Sequence, residues 1–405
     1  MTNDYNTPLA DTNLFKPIKV GKIELKNRLV FPPTTRFRNT SDFVATDSML
    51  SYYSQRAENN GGLLITEATF GAPQFGLYQN GPMIYTDRQV EAWKKIVEEV
   101  HKKGSHISMQ LWNLGRAADP KLLKEHGLPF LAPSALYFSE ESKKAAEEAG
   151  NEVQAMTLEQ IEQTKKDYVN AAKNAIQKAG FDMVEVHSAH GYLLDQFIQT
   201  TANKRTDKYG GSIENRARLL LEVIDLVIEA VGADHVAVRL SPYATFQGSG
   251  GVDAEVHPIA QFGYILSELE RRAKEGKRLA YVSIVEPRVN GIADAPENSE
   301  DNSWMLQIWK GVVLRSGGYL SEKGIAHLIK DVNADDRTLI GCSRYFTSNP
   351  DLPNRLRDGL PLTPYDRSRF YKIFSNDGYL TWGKYGEPEQ PSDSAIALKT
   401  PQPLA

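Results

Sequence analysis

Three observations predict an α/β fold, specifically a (β/α)8 or TIM barrel. Short apolar runs alternate with amphipathic helical segments along most of the 405 residues, which is the pattern of parallel βα units covered on both faces. The runs number about eight, a count that favours closure over a doubly wound open sheet. Polar residues gather at the carboxyl ends of those runs, the end where α/β barrels keep their chemistry.

Taken in order, strands are predicted at Arg28 to Phe31, Leu63 to Ala68, His106 to Gln110, Met183 to His187, Val236 to Ser241, Leu279 to Val285, Val312 to Ser316 and Thr338 to Gly341. Each is short and mostly apolar, as strands buried on both faces must be. The intervening helices carry apolar residues at helical spacing, as in Val90, Trp93, Val97 and Val100, or in Leu220, Leu221, Ile224, Val227 and Ile228. Thr157 with Gln160 three residues on makes a capping box. Ser212, after Gly210-Gly211, is a fitting N-cap for the helix that runs on to Val231.

Other segments stand outside the repeat. Ile18 to Leu25, around Gly21-Lys22, has the pattern of a β-hairpin ahead of the first barrel strand, placed to plug the amino end. Long insertions follow strand 3 (Gly115 to Met156, with the charged run Glu140 to Glu148) and strand 6 (Glu286 to Ser303). Either insertion suits a lid over a site or a solvated surface elaboration. The expected organisation is a tail over 1–13, one barrel domain over 14–382 and a tail over 383–405. Beyond Glu387 the Pro- and Ser-bearing composition predicts disorder.

Composition narrows the function. Hydrophobic residues at 41% and charged residues at 24% fit a globular chain with a sizeable core. The 47 basic and 51 acidic residues leave a net charge of −4 with no dense basic cluster, so nucleic acid is not an expected partner. Cys342 is the only cysteine, which rules out a disulfide framework, an iron–sulfur cluster or a thiolate zinc site. Redox chemistry therefore requires an organic cofactor. No run approaches the ~18 apolar residues of a membrane span, and Met1 to Asn13 lacks the regions of a signal peptide. A cytoplasmic location is the expectation, with a monomer or homodimer as the assembly.

The richest stretch is Val186-His187-Ser188-Ala189-His190-Gly191-Tyr192-Leu193-Leu194. It sets two imidazoles and a phenol at the end of the fourth strand and on the loop after it. Thr35 follows the first strand, Gln110 ends the third, Arg239 sits in the fifth, and Gly317-Gly318 and Gly341-Cys342-Ser343-Arg344 follow the seventh and eighth. The last two loops of such barrels commonly bind phosphate through backbone N–H groups, and the Arg344 guanidinium can grip it bidentately. Arg239 is a cation inside the apolar strand Val238-Arg239-Leu240. It has either a structural ion pair or an electron-rich ring with an anionic reduced form as its partner. Gln110 and Thr35 can hydrogen-bond the heteroatoms of such a ring.

Six motifs stand in one order: Leu14-Phe15-Lys16-Pro17-Ile18, Pro32-Pro33-Thr34-Thr35-Arg36, Gln110-Leu111-Trp112, His187 to Leu193, Tyr209-Gly210-Gly211-Ser212-Ile213-Glu214-Asn215-Arg216, and Asn349-Pro350-Asp351-Leu352. They resemble the old yellow enzyme family of FMN-dependent ene-reductases over about Asn13 to Trp382. The resemblance implies non-covalent FMN, with Pro33, Thr34, Thr35, Ala68, Gln110 and Arg239 around the flavin ring. Gly317, Gly318, Gly341, Ser343 and Arg344 would lie near its phosphate. It also implies NADPH or NADH as reductant and electron-poor small-molecule alkenes as substrates. His187 and His190 would hold the activating oxygen, Tyr192 would supply the proton, and Tyr78, Trp112, Phe246 and Tyr379 would wall the pocket. Many relatives carry asparagine where this chain has His190. A relative committed to one pathway, such as a fungal alkaloid aldehyde reductase, is the alternative within the family. Outside that reaction, His187 and His190 have the spacing of a metal-ligand pair in a barrel metallohydrolase, and a catalytically idle flavoprotein is the third reading. No Gly-x-Gly-x-x-Gly follows a predicted strand, so a separate dinucleotide-binding domain is not expected.

Overall fold

A computed structural model describes residues 7–58, 60–291, 293–295, 300–321 and 324–405. The predicted strands form at Leu29–Phe31 (β1), Leu63–Ile65 (β2), His106–Trp112 (β3), Met183–Ser188 (β4), Val236–Leu240 (β5), Tyr281–Val285 (β6), Val313–Ser316 (β7) and Thr338–Gly341 (β8). Each pairs in parallel with the next. β8 returns to β1 with Ile340 opposite Leu29, which closes the sheet into a TIM barrel. Closure removes every free sheet edge, so each short strand satisfies its backbone on both sides.

Helices α1 (Asp47–Ala57), α2 (Asp87–Lys102), α3 (Leu158–Lys173), α4 (Leu193–Ile198), α5 (Ile213–Val231), α6 (Pro258–Lys274), α7 (Gly324–Asn333) and α8 (Leu352–Asp358) lie between or after the strands. The apolar stripe expected on α2 is the buried one, with Val90, Trp93, Val97 and Val100 all in the core. The same holds for Leu220, Leu221, Ile224, Val227 and Ile228 on α5. Both sequence-derived caps are present. Thr157 accepts from the Gln160 N–H while the Gln160 side chain accepts from the Thr157 N–H, and the Ser212 hydroxyl accepts from the Asn215 N–H.

The amino end of the barrel is stoppered by the expected hairpin, Ile18–Val20 paired with Ile23–Leu25. Val20 and Leu25 are fully buried among Val30, Leu63, Ile65, Leu314 and Leu339, which come from four barrel strands. The turn demands glycine at Gly21. Its φ is +55°, and an added Cβ would lie 2.1 Å from the Asp234 carbonyl oxygen.

One expectation changes. The stretch beyond Glu387 is ordered. Asp47, at the start of α1, accepts from the Gln402 N–H at 2.9 Å and from Lys399 Nζ at 2.7 Å, and the Leu404 N–H donates to the Ala45 carbonyl. A local composition argument missed this because the partners lie at the other end of the chain. Of the two readings of the insertion after β3, the structure shows it packed behind the cavity wall, with none of its described residues lining the cavity itself. Its Leu123, Phe130, Ala132, Ala146 and Val153 pack with Phe70 and Leu114 in a second apolar cluster that fixes it to the barrel. Of the expected amino-terminal tail, residues 1–6 lie outside the described residues, whereas Leu9 is buried with its N–H on the Leu356 carbonyl.

Candidate active site

The carboxyl end of the barrel opens into a cavity of about 910 Å3, a size that suits a cofactor with a small molecule beside it. Parallel register puts Arg239 of β5 beside His187 of β4 and Gln110 of β3 beside Glu185 of β4. Gln110 Nε2 donates to Glu185 Oε1 at 2.7 Å, which fixes the amide at the cavity floor. After β4 the chain turns through two left-handed residues, His190 (φ 57°) and Gly191 (φ 74°). The His190 N–H is held by Ser241 Oγ at 2.8 Å. Tyr192 then begins α4 as its N-cap residue.

This turn packs its three side chains edge to face. The Tyr192 ring centroid lies 5.0 Å from that of His187 and 4.9 Å from that of Trp112, and the two imidazoles are 6.1 Å apart. Burial, then the positive charge of Arg239, drive the His187 pKa well below its usual value. The same two causes bring His190 down to about 3. Both imidazoles are therefore neutral near pH 7, each with one N–H to donate. Burial pushes the Tyr192 phenol up to about 12, so it keeps its proton. Arg239 has its pKa lowered by burial against the opposing charge of Glu185.

Several polar atoms here have no partner among the described residues: His187 Nδ1, His190 Nε2, Arg239 Nε, Trp112 Nε1 and Ser316 Oγ. Each buried polar group left without a partner costs about 1–3 kcal/mol. Their concentration around one cavity marks a site built to be completed by a polar ligand.

At the opposite end of the cavity, Gly317 (φ 122°) and Gly318 (φ 71°) turn the chain after β7. Both conformations belong to glycine and leave backbone accessible at the wall. Gly341, Ser343 and Arg344 line the same region after β8, and the Ser343 and Thr34 hydroxyls meet at 2.7 Å. Arg344 donates to Asp294 Oδ1 at 2.5 Å. The loop after β6 also lends Val289, Gly291 and Asp294 to the wall, whereas among the described residues Gly115 to Met156 contributes none.

The structure thus gathers Pro33, Thr34, Thr35, Ala68, Gln110, His187, His190, Tyr192, Arg239, Gly317, Gly318, Gly341, Ser343 and Arg344 around one cavity, walled by Tyr78, Trp112 and Phe246. Tyr78 presents its ring, because its hydroxyl donates to the Ala117 carbonyl at 2.5 Å. Tyr379 is a correction. Its ring does not line the cavity but stacks on Tyr52 at 4.0 Å, 1% exposed, with the Arg36 and Arg38 guanidinium groups 5.2 and 4.8 Å from its centre. The ring faces of two tyrosines and buried cations satisfy one another there.

Sequence reasoning missed Phe37, Ser316, Phe370 and Tyr371 of the lining. Phe37 carried no sequence signal, since its position depends on a left-handed backbone (φ 59°) held by Glu67 Oε2 through the Phe37 N–H. Phe370 and Tyr371 lie in an irregular segment after the last barrel strand, where no periodicity points inward.

Comparison with known proteins places the chain among flavin oxidoreductases. The chain is 50% identical over 390 residues to a probable NADPH dehydrogenase of Candida albicans, covering 95% of this chain and 93% of that protein. It is 45% identical over 392 residues to enoate reductase 1 of Kluyveromyces lactis, covering 94% and 96%. Among solved structures, an old yellow enzyme from a Pichia species is 97% identical with a TM-score of 0.95, covering 98% of this chain and 100% of that one. Morphinone reductase in complex with tetrahydroNAD is 36% identical with a TM-score of 0.78, covering 92% and 98%. The model of the NADH:flavin oxidoreductase / NADH oxidase family matches residues 13–363, and the chain belongs to that family, among the old yellow enzymes.

Proposed function

We propose roles for the residues of an FMN-dependent ene-reductase, which takes hydride from NADPH or NADH and reduces the C=C bond of alkenes activated by a carbonyl or nitro group. The observation that carries this reading is the meeting of two neutral, unpartnered imidazoles and a protonated phenol beside Arg239. The residues fit FMN. Gln110, Thr35 and Arg239 offer donors for a hydrogen-bonding ring, and Gly317, Gly318, Ser343 and Arg344 offer a phosphate end. When bound, FMN supplies the hydride-transfer chemistry.

The protein's part is electrostatic and positional. The unpartnered Arg239 Nε offers a cationic donor at the cavity that would hold the flavin ring and stabilise negative charge on it. His187 and His190 direct N–H groups at the carbonyl or nitro oxygen and stabilise the charge that grows there as the β-carbon is reduced. Tyr192 keeps its proton through neutral pH and gives it to the α-carbon. Trp112, Tyr78 and Phe246 hold the apolar body of the alkene and exclude water. The metal-ligand reading of His187 and His190 is not favoured, since among the described residues no three His, Cys, Asp or Glu side chains gather around a common point.

Rapid-mixing kinetics of the two half-reactions test the assignment. Tyr192→Phe should leave flavin reduction by NADPH intact and slow alkene reduction by ~10²–10⁴-fold, the range for loss of a general acid. Equal slowing of both half-reactions overturns the proton-donor role.

A further inference from the structure

Both polar groups of the Gly191 peptide are held by side chains from the first turn of α4. The Gly191 N–H donates to Asp195 Oδ2 at 2.8 Å, and its carbonyl accepts from Gln196 Nε2 at 2.7 Å. Gln196 also donates to the Leu114 carbonyl and accepts from the Arg116 N–H, which ties α4 to the loop after β3. The Arg116 guanidinium donates to the carbonyls of Gln247 and Gly248 on the loop after β5. A Cβ on Gly191 would lie 2.9 Å from Gln247 Cβ and from the Phe246 carbonyl oxygen, so that loop closes over the turn. Two consecutive left-handed residues, one of them a histidine, persist only where their surroundings hold them.

We propose that Asp195 is a positioning residue whose carboxylate, through the Gly191 N–H, fixes the angle at which His190 and Tyr192 meet the substrate. The inference rests on the roles given to those two residues above. A carboxylate holds an N–H by a charge-assisted bond roughly twice as strong as a neutral one, so protonating Asp195 slackens the turn.

The surroundings place that protonation in an accessible range. Asp195 is fully buried, and burial raises its carboxyl to about 6 against the hydrogen bonds from Gln199 and Gly191. Arg116 is the charged group facing it, and Ser249 lies beside it from the loop after β5. His190, at about 3, and Tyr192, at about 12, do not change charge between pH 5 and 7. Protonation of Asp195 therefore predicts an acid limb in alkene reduction within that interval, and its loss in a variant without the carboxyl separates it from the other buried acids near the site, Glu185 and Glu67.

The test uses the holoenzyme, its Asp195→Asn and Asp195→Ala variants, and two readouts. Amide hydrogen exchange over 189–193 reports the turn itself, and the pH profile of alkene reduction reports its consequence. Asp195→Ala should lose exchange protection at Gly191 and reduce alkenes on the order of 10-fold more slowly. Asp195→Asn keeps a neutral acceptor in place of the titrating charge, so it should hold Gly191 with protection between that of wild type and Asp195→Ala, reduce alkenes at the rate of the acid-form wild type at every pH, and lose the acid limb near pH 6. Unchanged protection in Asp195→Ala, or an identical acid limb in wild type and Asp195→Asn, overturns the proposal. Should Asp195→Ala fail to fold, the Asp195→Asn profile decides alone. Lost protection with undiminished alkene reduction supports the clamp and instead overturns the roles given to His190 and Tyr192.

Discussion

At the amino end of the barrel Val20 and Leu25 of the hairpin fill the space between Val30, Leu63, Leu314 and Leu339, whereas at the carboxyl end the same eight strands present Gln110, His187 and Arg239. Histidines make the contrast sharper. At the amino end His101 and His106 approach Asp182 at 2.9 and 3.4 Å, and the carboxylate raises the His101 pKa. At the carboxyl end His187 and His190 face Arg239, and burial with that cation lowers both. One residue type serves as the structural partner of a carboxylate below and a neutral, unpartnered donor above. Burial above and a bonded carboxylate below decide which, with the sign of the neighbouring charge acting in the same sense. A polar group paired within the fold stabilises the fold, and one left without a partner beside the cavity is available to a ligand.

The largest break in that contrast comes from the upper pair. Replacing His187 and His190 together with alanine removes both donors aimed at an anionic oxygen. Binding of a phenolate such as 4-hydroxybenzaldehyde should weaken on the order of 10³-fold, since loss of a single oxyanion donor costs ~10²–10³. The thermal midpoint should move little, because the side chains removed leave no internal bond broken. Spectrophotometric titration of the holoenzyme measures the first and calorimetry the second, and undiminished affinity removes the oxygen-clamp role. The hairpin should behave in the opposite way. Leu25→Ala, at a fully buried position, should cost about 2–4 kcal/mol of stability with kcat/KM for the folded enzyme unchanged. Denaturant unfolding beside steady-state assays checks both, and a change confined to kcat/KM would erase the distinction between the two ends.

The lower end was the easier one to read from sequence. Apolar runs and a Gly-containing turn are local signals, so the hairpin and Thr338 to Gly341 could be placed from a few residues each. His187, Gln110 and Arg239 were legible because a polar residue at the end of an apolar strand is conspicuous, and closure of the barrel brings strand ends together. What could not be read depends on distant contacts. Tyr379 was assigned to the pocket by resemblance, but its ring is claimed by Tyr52 and two arginines from the opposite end of the chain. The segment beyond Glu387 has a disordered composition, yet Asp47 anchors it. Phe37 reaches the cavity through a backbone conformation that its side chain gives no hint of.

The smallest effect belongs to the paired histidines and carries a pH signature. Burial of Asp182 opposes its ionisation, but hydrogen bonds from His101, His106 and the Ile107 N–H outweigh it, and the carboxyl lies well below its usual range. A depressed acid contributes stability above its unfolded pKa of ~3.9 and loses it as the solution is acidified toward the folded value. His101 is raised chiefly by its hydrogen bond to Asp182, so its contribution is complete below ~6.5 and fades as pH climbs through its folded pKa. The two are jointly complete between about pH 4 and 6.5. Asp182→Asn should therefore cost about 1–3 kcal/mol in that window and less on its alkaline side. Because the His101 side chain is 39% exposed, its share belongs at the low end of that range. Unfolding free energies of wild type and variant at pH 5.5 and 8.5 measure the difference, with alkene reduction at pH 7 unaltered. A gap that is the same at pH 5.5 and 8.5 would show that Asp182 acts through the Ile107 N–H and not through His101, and would remove the contrast between the lower and upper histidines.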